Sequence, residues 1–143
     1  MVKFSRRTAS PEMARVLLVD DDPTARLTLQ TILEAGGYRV EAAASAAEAV
    51  GKMEKREYEL VLSDLGMESP EAGYKVLAHA RLMTYKPATA IFTTSYVNSE
   101  STTKTRPILI EPEDVPGLLT KVANLISRRA SRMVERELRL QNI

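Results

Sequence analysis

The sequence has 143 residues, a length that suits one domain with short arms. A hydrophobic content of 44% and a charged content of 27% are typical of a soluble globular protein, and the net charge of +1 selects neither nucleic acid nor membrane as a partner. The absence of cysteine excludes disulfides, thiolate nucleophiles and zinc–thiolate sites, and it fits the cytoplasmic location that we predict.

Residues 1–13 are predicted to form a flexible arm. They contain Lys3, Arg6 and Arg7 but no apolar run that is long enough for a signal peptide. A basic docking arm is the alternative interpretation of this segment. Nothing in the chain approaches the roughly 18 apolar residues of a membrane span, so we expect no membrane partner.

From residue 14 onward the sequence alternates between short apolar strands and amphipathic helices. Pro23 suits a first helical turn, the pair Gly36 and Gly37 suits a helix end, and Ser45 with Glu48 has the spacing of a capping box. The pattern predicts strands at residues 15–19, 38–42, 60–63, 89–94 and 107–110, and helices at about residues 23–35, 45–54, 70–83 and 114–140.

Five strands interleaved with helices predict a parallel sheet that is covered on both faces, as in a doubly wound α/β fold. Residues 95–106 are polar and lack apolar periodicity, so we expect a loop there with at most a turn or two of helix. The last predicted helix is longer than a small sheet needs for its cover.

Aspartates follow two of the predicted strands. Asp20 and Asp21 come directly after the first strand, and Asp64 ends the third. Sites in open α/β sheets form at the carboxyl ends of strands, and carboxylate oxygens are ligands that Mg²⁺ prefers. The alternative is that these aspartates only serve turns and helix caps, and Asp22, just before Pro23, is predicted to be such a cap.

In these features the chain resembles the receiver domain of two-component response regulators. The resemblance covers about residues 14–127 and rests on four motifs in order, which are Val-Leu-Leu-Val followed by Asp20 and Asp21, Leu-Val-Leu-Ser before Asp64, Ile-Phe-Thr before Thr94, and Glu111 with Pro112 in place of the family's Lys-Pro. It implies a flavodoxin-like fold with strand order 2-1-3-4-5, and a signalling function without enzyme activity.

The resemblance also implies roles for individual residues. Asp64 would accept a phosphoryl group from a histidine kinase or phosphotransfer protein, and Thr94 would be the switch hydroxyl. Mg²⁺ would be held by Asp21, Asp64 and the backbone carbonyl of Gly66, with Asp20 assisting through water. Thr94 is also interpretable as a plain β-branched strand residue.

The chain departs from the family pattern at four places. Glu111 inverts the charge of the family's lysine, and Ile108 stands where the family has an aromatic switch residue. The segment from Thr94 to Glu111 is about five positions shorter than usual, which predicts a shortened or absent fourth helix. The loop after Asp64 is about one residue longer and adds Glu68 near the site. Lys104 or Arg106 could fold back to compensate for the charge of Glu111.

Residues 128–143 are predicted to extend the last helix. They carry five arginines and only a ragged apolar stripe. The interpretations are a solvated helix end or linker, a self-association or partner helix that would allow a homodimer, and a nucleic-acid arm, of which the last is disfavoured because the segment has no aromatic residue.

Two functional hypotheses follow. The first is a receiver without an output domain that accepts phosphate on Asp64 and acts through protein contacts. The second is a phosphorylation-independent pseudo-receiver that serves as an interaction module, with an acidic pocket that is vestigial or binds a cation. Glu111, Ile108 and the short fourth-helix region favour the second hypothesis, whereas Asp20, Asp21, Asp64 and Thr94 favour the first.

Overall fold

The computed structural model describes residues 14–94 and 107–142 of the chain. The predicted arm at residues 1–13 and the predicted loop at residues 95–106, where a shortened fourth helix of the family would fall, lie outside the described residues. The described elements are β1 (Arg15–Val19), α1 (Pro23–Ala35), β2 (Arg39–Ala43), α2 (Ala46–Lys55), β3 (Leu60–Asp64), α3 (Ala72–Leu82), β4 (Ala88–Thr93), β5 (Ile108–Leu109) and α4 (Val115–Gln141).

The five described strands form one parallel sheet with the order β2-β1-β3-β4-β5. This order and the alternating helices confirm the predicted flavodoxin-like class. The bounds of β1 and α1 are as predicted, and those of the other elements differ from the predictions by at most two residues. For example, α3 begins at Ala72 rather than at residue 70, because the backbone N–H of Ala72 closes a turn onto the carbonyl of Ser69.

Alternate residues of the central strands pack in two separate hydrophobic cores, because successive side chains of a strand point to opposite faces of the sheet. On one face, Leu17 and Val61 pack with the buried residues of α2 and α3. On the other face, Leu18 and Leu62 pack with the buried residues of α1 and α4. The sheet is therefore buried on both sides, and the places where polar groups can gather are its edges and the ends of its strands.

Side-chain caps begin the first two helices where the sequence predicts them. The carboxylate of Asp22 accepts a hydrogen bond from the backbone N–H of Ala25 at 3.3 Å, and the hydroxyl of Ser45 accepts one from Glu48 at 3.1 Å. The carboxylate of Glu48 accepts in turn from the N–H of Ala44 at 2.9 Å. Each cap satisfies backbone donors that a first helical turn leaves unpaired.

The last helix, α4, is 27 residues long, which corresponds to about 40 Å. Its buried residues, Leu118 and Val122, lie in its N-terminal half, whereas most side chains from Ser127 onward are exposed. The prediction of an extended last helix is confirmed. Among the residues that the structure describes, no helix combines the length and the apolar character needed to cross a membrane.

Candidate functional site

The structure brings Asp20, Asp21 and Asp64 together at the carboxyl ends of β1 and β3. The two strands are parallel neighbours with Val19 level with Ser63, so the residues that follow Val19 and Ser63 emerge side by side. Each of the three aspartates offers one carboxylate oxygen that lies within 4.8 Å of the others. The predicted convergence of these carboxylates is thus present in the fold.

Backbone contacts fix the position of Asp20, which is only 2% exposed. Its N–H donates to the carbonyl of Ala43 on β2 at 3.0 Å, and its own carbonyl accepts from the Arg26 guanidinium at 2.8 Å. Its side-chain oxygen Oδ1 accepts from the backbone N–H of Asp22 at 3.0 Å. The carboxylate is therefore held at the floor of the site, while Asp21 beside it is exposed.

Asp64 lies at the last position of β3 and is half-buried. Its Oδ2 accepts a hydrogen bond from the backbone N–H of Gly66 at 3.2 Å. The next residue, Leu65, is tied to the sheet through its N–H, which donates to the carbonyl of Phe92 at 2.8 Å. Gly66, whose carbonyl is a predicted metal ligand, is exposed and lies in the turn beside the Asp64 carboxylate.

Burial, together with the neighbouring charges, raises the pKa values of two of the carboxylates. The pKa of Asp20 is raised to about 6, mainly by burial. The hydrogen bond from the backbone N–H of Asp22 lowers this pKa, and the charges of the neighbouring aspartates raise it further. Burial also raises the pKa of Asp64, and the charge of Asp21 adds to this rise, although the N–H of Gly66 opposes it. The site therefore concentrates negative charge that a bound cation would offset.

The donor set fits Mg²⁺. This ion takes oxygen ligands at about 2.0–2.1 Å in an octahedron, so that its ligand oxygens lie up to about 4.2 Å apart. Carboxylate oxygens within 4.8 Å of one another need only a small side-chain adjustment to reach that spacing. The exposed Asp21 leaves one side of the site open to the water that Mg²⁺ usually keeps in its shell.

The remaining predicted residues lie at the same end of the sheet. Asp64, Phe92 and Ile108 are level across β3, β4 and β5, and Thr94 and Glu111 follow shortly after the last two of these positions. Thr94 is exposed and lies directly after β4, whose last residue is Thr93, so the predicted strand is shifted by one residue towards the C-terminus. Glu111 is exposed as well.

The two cations proposed to compensate for Glu111, Lys104 and Arg106, lie outside the described residues. Ile108 is half-buried and packs against the core cluster that contains Phe92. These contacts are those of an aliphatic side chain that packs in the core.

Glu68, in the loop after Asp64, contacts the start of α2. Its two carboxylate oxygens lie 3.4 and 3.3 Å from the backbone nitrogen of Ala46, the first residue of α2, and accept its N–H. The interaction is favourable because the start of a helix presents unpaired N–H groups and a partial positive charge. Glu68 thus ties the loop after Asp64 to α2.

Sequence reasoning missed the role of Gly73 in the first turn of α3. A Cβ atom at this position would lie 2.9 Å from the backbone oxygen of Asp64 and 3.1 Å from Cδ1 of Ile91. Only glycine lets α3 approach the end of β3 so closely. The available signal was a glycine inside a helical pattern, which often marks a close packing contact.

We expect Gly73→Ala to lower the free energy of unfolding by about 1–3 kcal/mol, because the added methyl group must push α3 away from the backbone of Asp64. It should also weaken Mg²⁺ binding, since Asp64 would shift with its backbone. Urea unfolding and a magnesium titration would measure the two effects.

A matched control is Gly51→Ala, because Gly51 is a helical glycine in α2 with nothing within 4 Å of an added Cβ. That variant should gain about 0.5–1 kcal/mol of stability from helix propensity. Equal effects of the two alanines on stability would contradict the contact described for Gly73.

The parallel sheet of order 2-1-3-4-5 with an acidic trio at the ends of its first and third strands defines the receiver class of signalling domains. A family model described as response regulator receiver domain matches residues 16–108. The chain belongs to this family, and it is therefore a receiver domain of two-component signalling.

Two curated relatives share part of the sequence. The two-component response regulator ARR11 of Arabidopsis thaliana is 39% identical over 75 residues, which cover 51% of this chain and 14% of that protein. The gliding motility regulatory protein of Myxococcus xanthus is 45% identical over 53 residues, which cover 37% of this chain and 7% of that protein. The chain thus matches only a small part of either relative.

Solved structures match over most of the fold. The chemotaxis response regulator CheY4 of Vibrio cholerae superposes with a TM-score of 0.66 at 27% identity, covering 79% of this chain and 98% of that one. The response regulator TrrA of Thermotoga maritima, solved in complex with Mg²⁺ and BeF, gives 0.66 at 27% identity, covering 79% and 99%. A CheY-like receiver domain protein from Methanospirillum hungatei gives 0.70 at 25% identity, covering 84% and 98%.

Proposed function

We propose that the chain is a phosphoacceptor in which Asp64 receives a phosphoryl group from a histidine kinase or a phosphotransfer protein. The observation that carries the proposal is the convergence of Asp20, Asp21 and Asp64, with oxygens within 4.8 Å of one another, at the carboxyl ends of β1 and β3. Asp64 is the member of the trio that combines a fixed backbone with partial exposure, which an acceptor of an incoming group needs.

The transfer makes one bond and breaks one. A carboxylate oxygen of Asp64 attacks the phosphorus atom of the donor, and the bond from phosphorus to the donor's leaving nitrogen or oxygen breaks with its electron pair going to the donor. The Gly66 N–H, which donates to Asp64 Oδ2, holds the carboxylate in position for this attack. Thr94, just past the end of β4, is the proposed switch hydroxyl that would bind a phosphoryl oxygen.

Asp21, Asp64 and the carbonyl of Gly66 are the proposed direct ligands of Mg²⁺, and Asp20 would assist through water. When bound, the ion would offset the negative charge that gathers as a phosphoryl group meets these carboxylates. The complex of the Thermotoga maritima regulator with Mg²⁺ and BeF supports a site of this kind in a related fold. Burial raises the pKa of both Asp20 and Asp64, and the charges of the neighbouring aspartates add to the rise, so a bound cation would relieve part of this cost.

We further propose that the output of the domain is a protein contact, made in the cytoplasm by the receiver surface or by α4, and that the domain is a signalling module rather than an enzyme. Val134, Leu138 and Leu140 on α4 are 58%, 54% and 59% exposed, which supports a partner or self-association role for this helix.

A second candidate function is a pseudo-receiver that binds partners without phosphorylation. The specific observation that favours it is Glu111, exposed at the same end of the sheet as Asp64, where its negative charge would oppose a phosphoryl group. In that case the acidic trio would hold a cation for structure only.

Intact mass after incubation with Mg²⁺ and acetyl phosphate separates the two candidates. A working acceptor gains one phosphoryl group, and Asp64→Asn gains none because it lacks the attacking carboxylate. Asp22→Asn is the matched control, since it changes an exposed capping carboxylate nearby and should still be labelled. No labelling of a wild-type protein whose circular dichroism shows an intact fold would reject the acceptor and support the pseudo-receiver.

A further inference from the structure

A groove of about 770 Å³ lies between the C-terminal half of α4 and the connection from α3 to β4. Among the residues that the structure describes, seven basic residues line it, together with one acidic residue, Glu135. Because the whole chain has a net charge of only +1, the positive charge of the groove is local and the rest of the chain is net negative.

Four arginines of α4 point to one side of the helix by their spacing. Arg128, Arg132 and Arg136 are four residues apart, and Arg139 follows three residues later, so that they line the groove from one helical face. Like charges at this spacing repel one another. The favourable interaction of cations with a helix C-terminus is confined to the last turn, so it accounts for Arg139 and leaves the earlier arginines without that support.

Contacts between α4 and the α3–β4 connection hold the two sides of the groove together, with Arg81 and Lys86 on the side opposite the arginines of α4. The guanidinium of Arg129 donates to the carbonyls of Lys86 at 2.9 Å and Tyr85 at 2.7 Å, which ties α4 to the α3–β4 connection. The ammonium of Lys86 donates to the carbonyl of Arg81 at 2.7 Å. Lys86 has a positive φ of 45°, an uncommon conformation that these contacts hold in place. These hydrogen bonds therefore fix the shape of the groove within the fold.

Within residues 14–94 and 107–142, the ion pairs use Arg15, Lys52, Arg56 and His79, none of which lines the groove. The charges of the groove thus lack an ion-pair partner in the described part of the chain. Arg132 and Arg136 are exposed. Anionic groups from another molecule would offset this repulsion.

The floor of the groove is apolar. It contains the buried Pro87 and Ala88 and the half-buried Leu125 and Met133. Methionine is a side chain that adapts to the shape of an apolar partner. A ligand that complements the whole groove therefore needs carboxylates or other anions at its edges and an apolar side chain at its centre.

We propose that this groove binds an acidic, amphipathic peptide segment of a partner protein. A nucleic-acid strand fits less well, because none of the described lining residues is an aromatic side chain on which a base could stack, and the apolar floor would face phosphates. A membrane surface is flat and would not reach the floor. The groove contains Ala88 at the start of β4, so it lies at the amino ends of the strands, whereas Asp64 lies at their carboxyl ends. Binding in the groove therefore does not rest on phosphorylation of Asp64.

The test uses the full chain and a short fluorescein-labelled peptide in which Glu and Leu recur at helical spacing. Fluorescence anisotropy should show saturable binding that weakens as salt is raised, because exposed charges are screened. The double variant Arg132→Glu/Arg136→Glu should weaken binding at least about tenfold. The matched control is Arg39→Glu/Lys75→Glu, which makes the same change in charge at exposed sites outside the groove and should keep most of the affinity.

Thermal unfolding of both double variants checks that each is folded. Equal losses in the two variants, or no saturable binding by the folded wild type, would overturn the proposal. So would equal binding of polyglutamate, which lacks the apolar side chain, or tighter binding of a thymidine oligonucleotide or of anionic vesicles. Sedimentation of the protein without peptide tests whether a second copy of the chain occupies the groove. A dimer that the groove variant fails to form would assign the groove to that second copy and overturn the proposal. Asp64→Asn should bind the peptide as the wild type does, which separates this proposal from the phosphoacceptor function.

Discussion

Asp20→Asn should make the protein more stable in the absence of divalent cations. Asp20 is 2% exposed and lies within a trio of carboxylates, and burial together with its charged neighbours raises its pKa from 3.8 to about 6. At neutral pH the ionised form therefore opposes folding by about 3 kcal/mol at most, at roughly 1.4 kcal/mol for each pH unit of the shift. Asparagine removes the charge and keeps an oxygen that can accept the N–H of Asp22. Urea unfolding in EDTA would measure the gain.

The gain should depend on pH in a defined direction. Since the folded-state pKa of Asp20 is higher than the unfolded-state value, the folded protein binds the proton more tightly, and the wild type loses stability relative to the variant as pH rises from about 4 to about 6. The difference between the variant and the wild type should be largest at pH 7 and should approach zero near pH 4.

Saturating Mg²⁺ should reverse the order of stability. The wild type gains the free energy of binding the ion to its folded state, whereas the variant has lost one negative carboxylate at the site and gains less. The control is Asp22→Asn, which removes a charge from an exposed cap where asparagine serves equally well, and which should change stability much less. A wild type that is as stable as Asp20→Asn at pH 7 in EDTA would show that the trio is not electrostatically strained.

Glu111→Lys should strengthen binding of beryllofluoride, a phosphoryl analogue, in the presence of Mg²⁺. The substitution replaces a repelling charge with an attracting one at the end of the sheet where Asp64 lies. Unit charges about 4 Å apart interact by roughly 4 kcal/mol at an effective dielectric of 20. Because Glu111 is exposed, water screens much of this, and we expect a gain of about tenfold in affinity, which corresponds to roughly 1.4 kcal/mol.

Glu113→Lys is the control for that experiment. Glu113 is also exposed and undergoes the same change in charge two residues further along the loop. Tryptophan is absent from the chain, so a ¹⁹F or proton NMR titration suits the measurement better than intrinsic fluorescence. If both lysines have the same effect, the change acts through net charge, and the position of Glu111 has no special influence on the site.

Local pattern was sufficient to predict most of the fold. The four consecutive apolar residues that end at Val19 predicted a strand buried on both faces, and the structure places them in an interior strand of the sheet, between β2 and β3. Asp22 and Ser45 predicted helix starts that the structure confirms through side-chain caps. These features depend on residues that are close together in the sequence, so they can be predicted from the local sequence pattern.

The acidic trio was also predictable, for a topological reason. Parallel neighbouring strands bring their carboxyl ends to one edge, so carboxylates that end two such strands must meet. What the pattern could not supply was the direction of side chains in the connecting loops. The sequence placed Glu68 near the site, but only the structure shows that its carboxylate accepts the N–H of Ala46 at the start of α2.

The sequence by itself determined the order of strands and helices, the caps and the set of carboxylates at the site, because each follows from residues that are near in the chain or from the geometry of a parallel sheet. Only the tertiary structure decided which distant segments touch. It placed Gly73 against the backbone of Asp64, and it placed Lys86 and Arg81 opposite the arginines of α4. Contacts of this kind depend on how helices and loops pack across the sheet, so they cannot be predicted from the local sequence pattern.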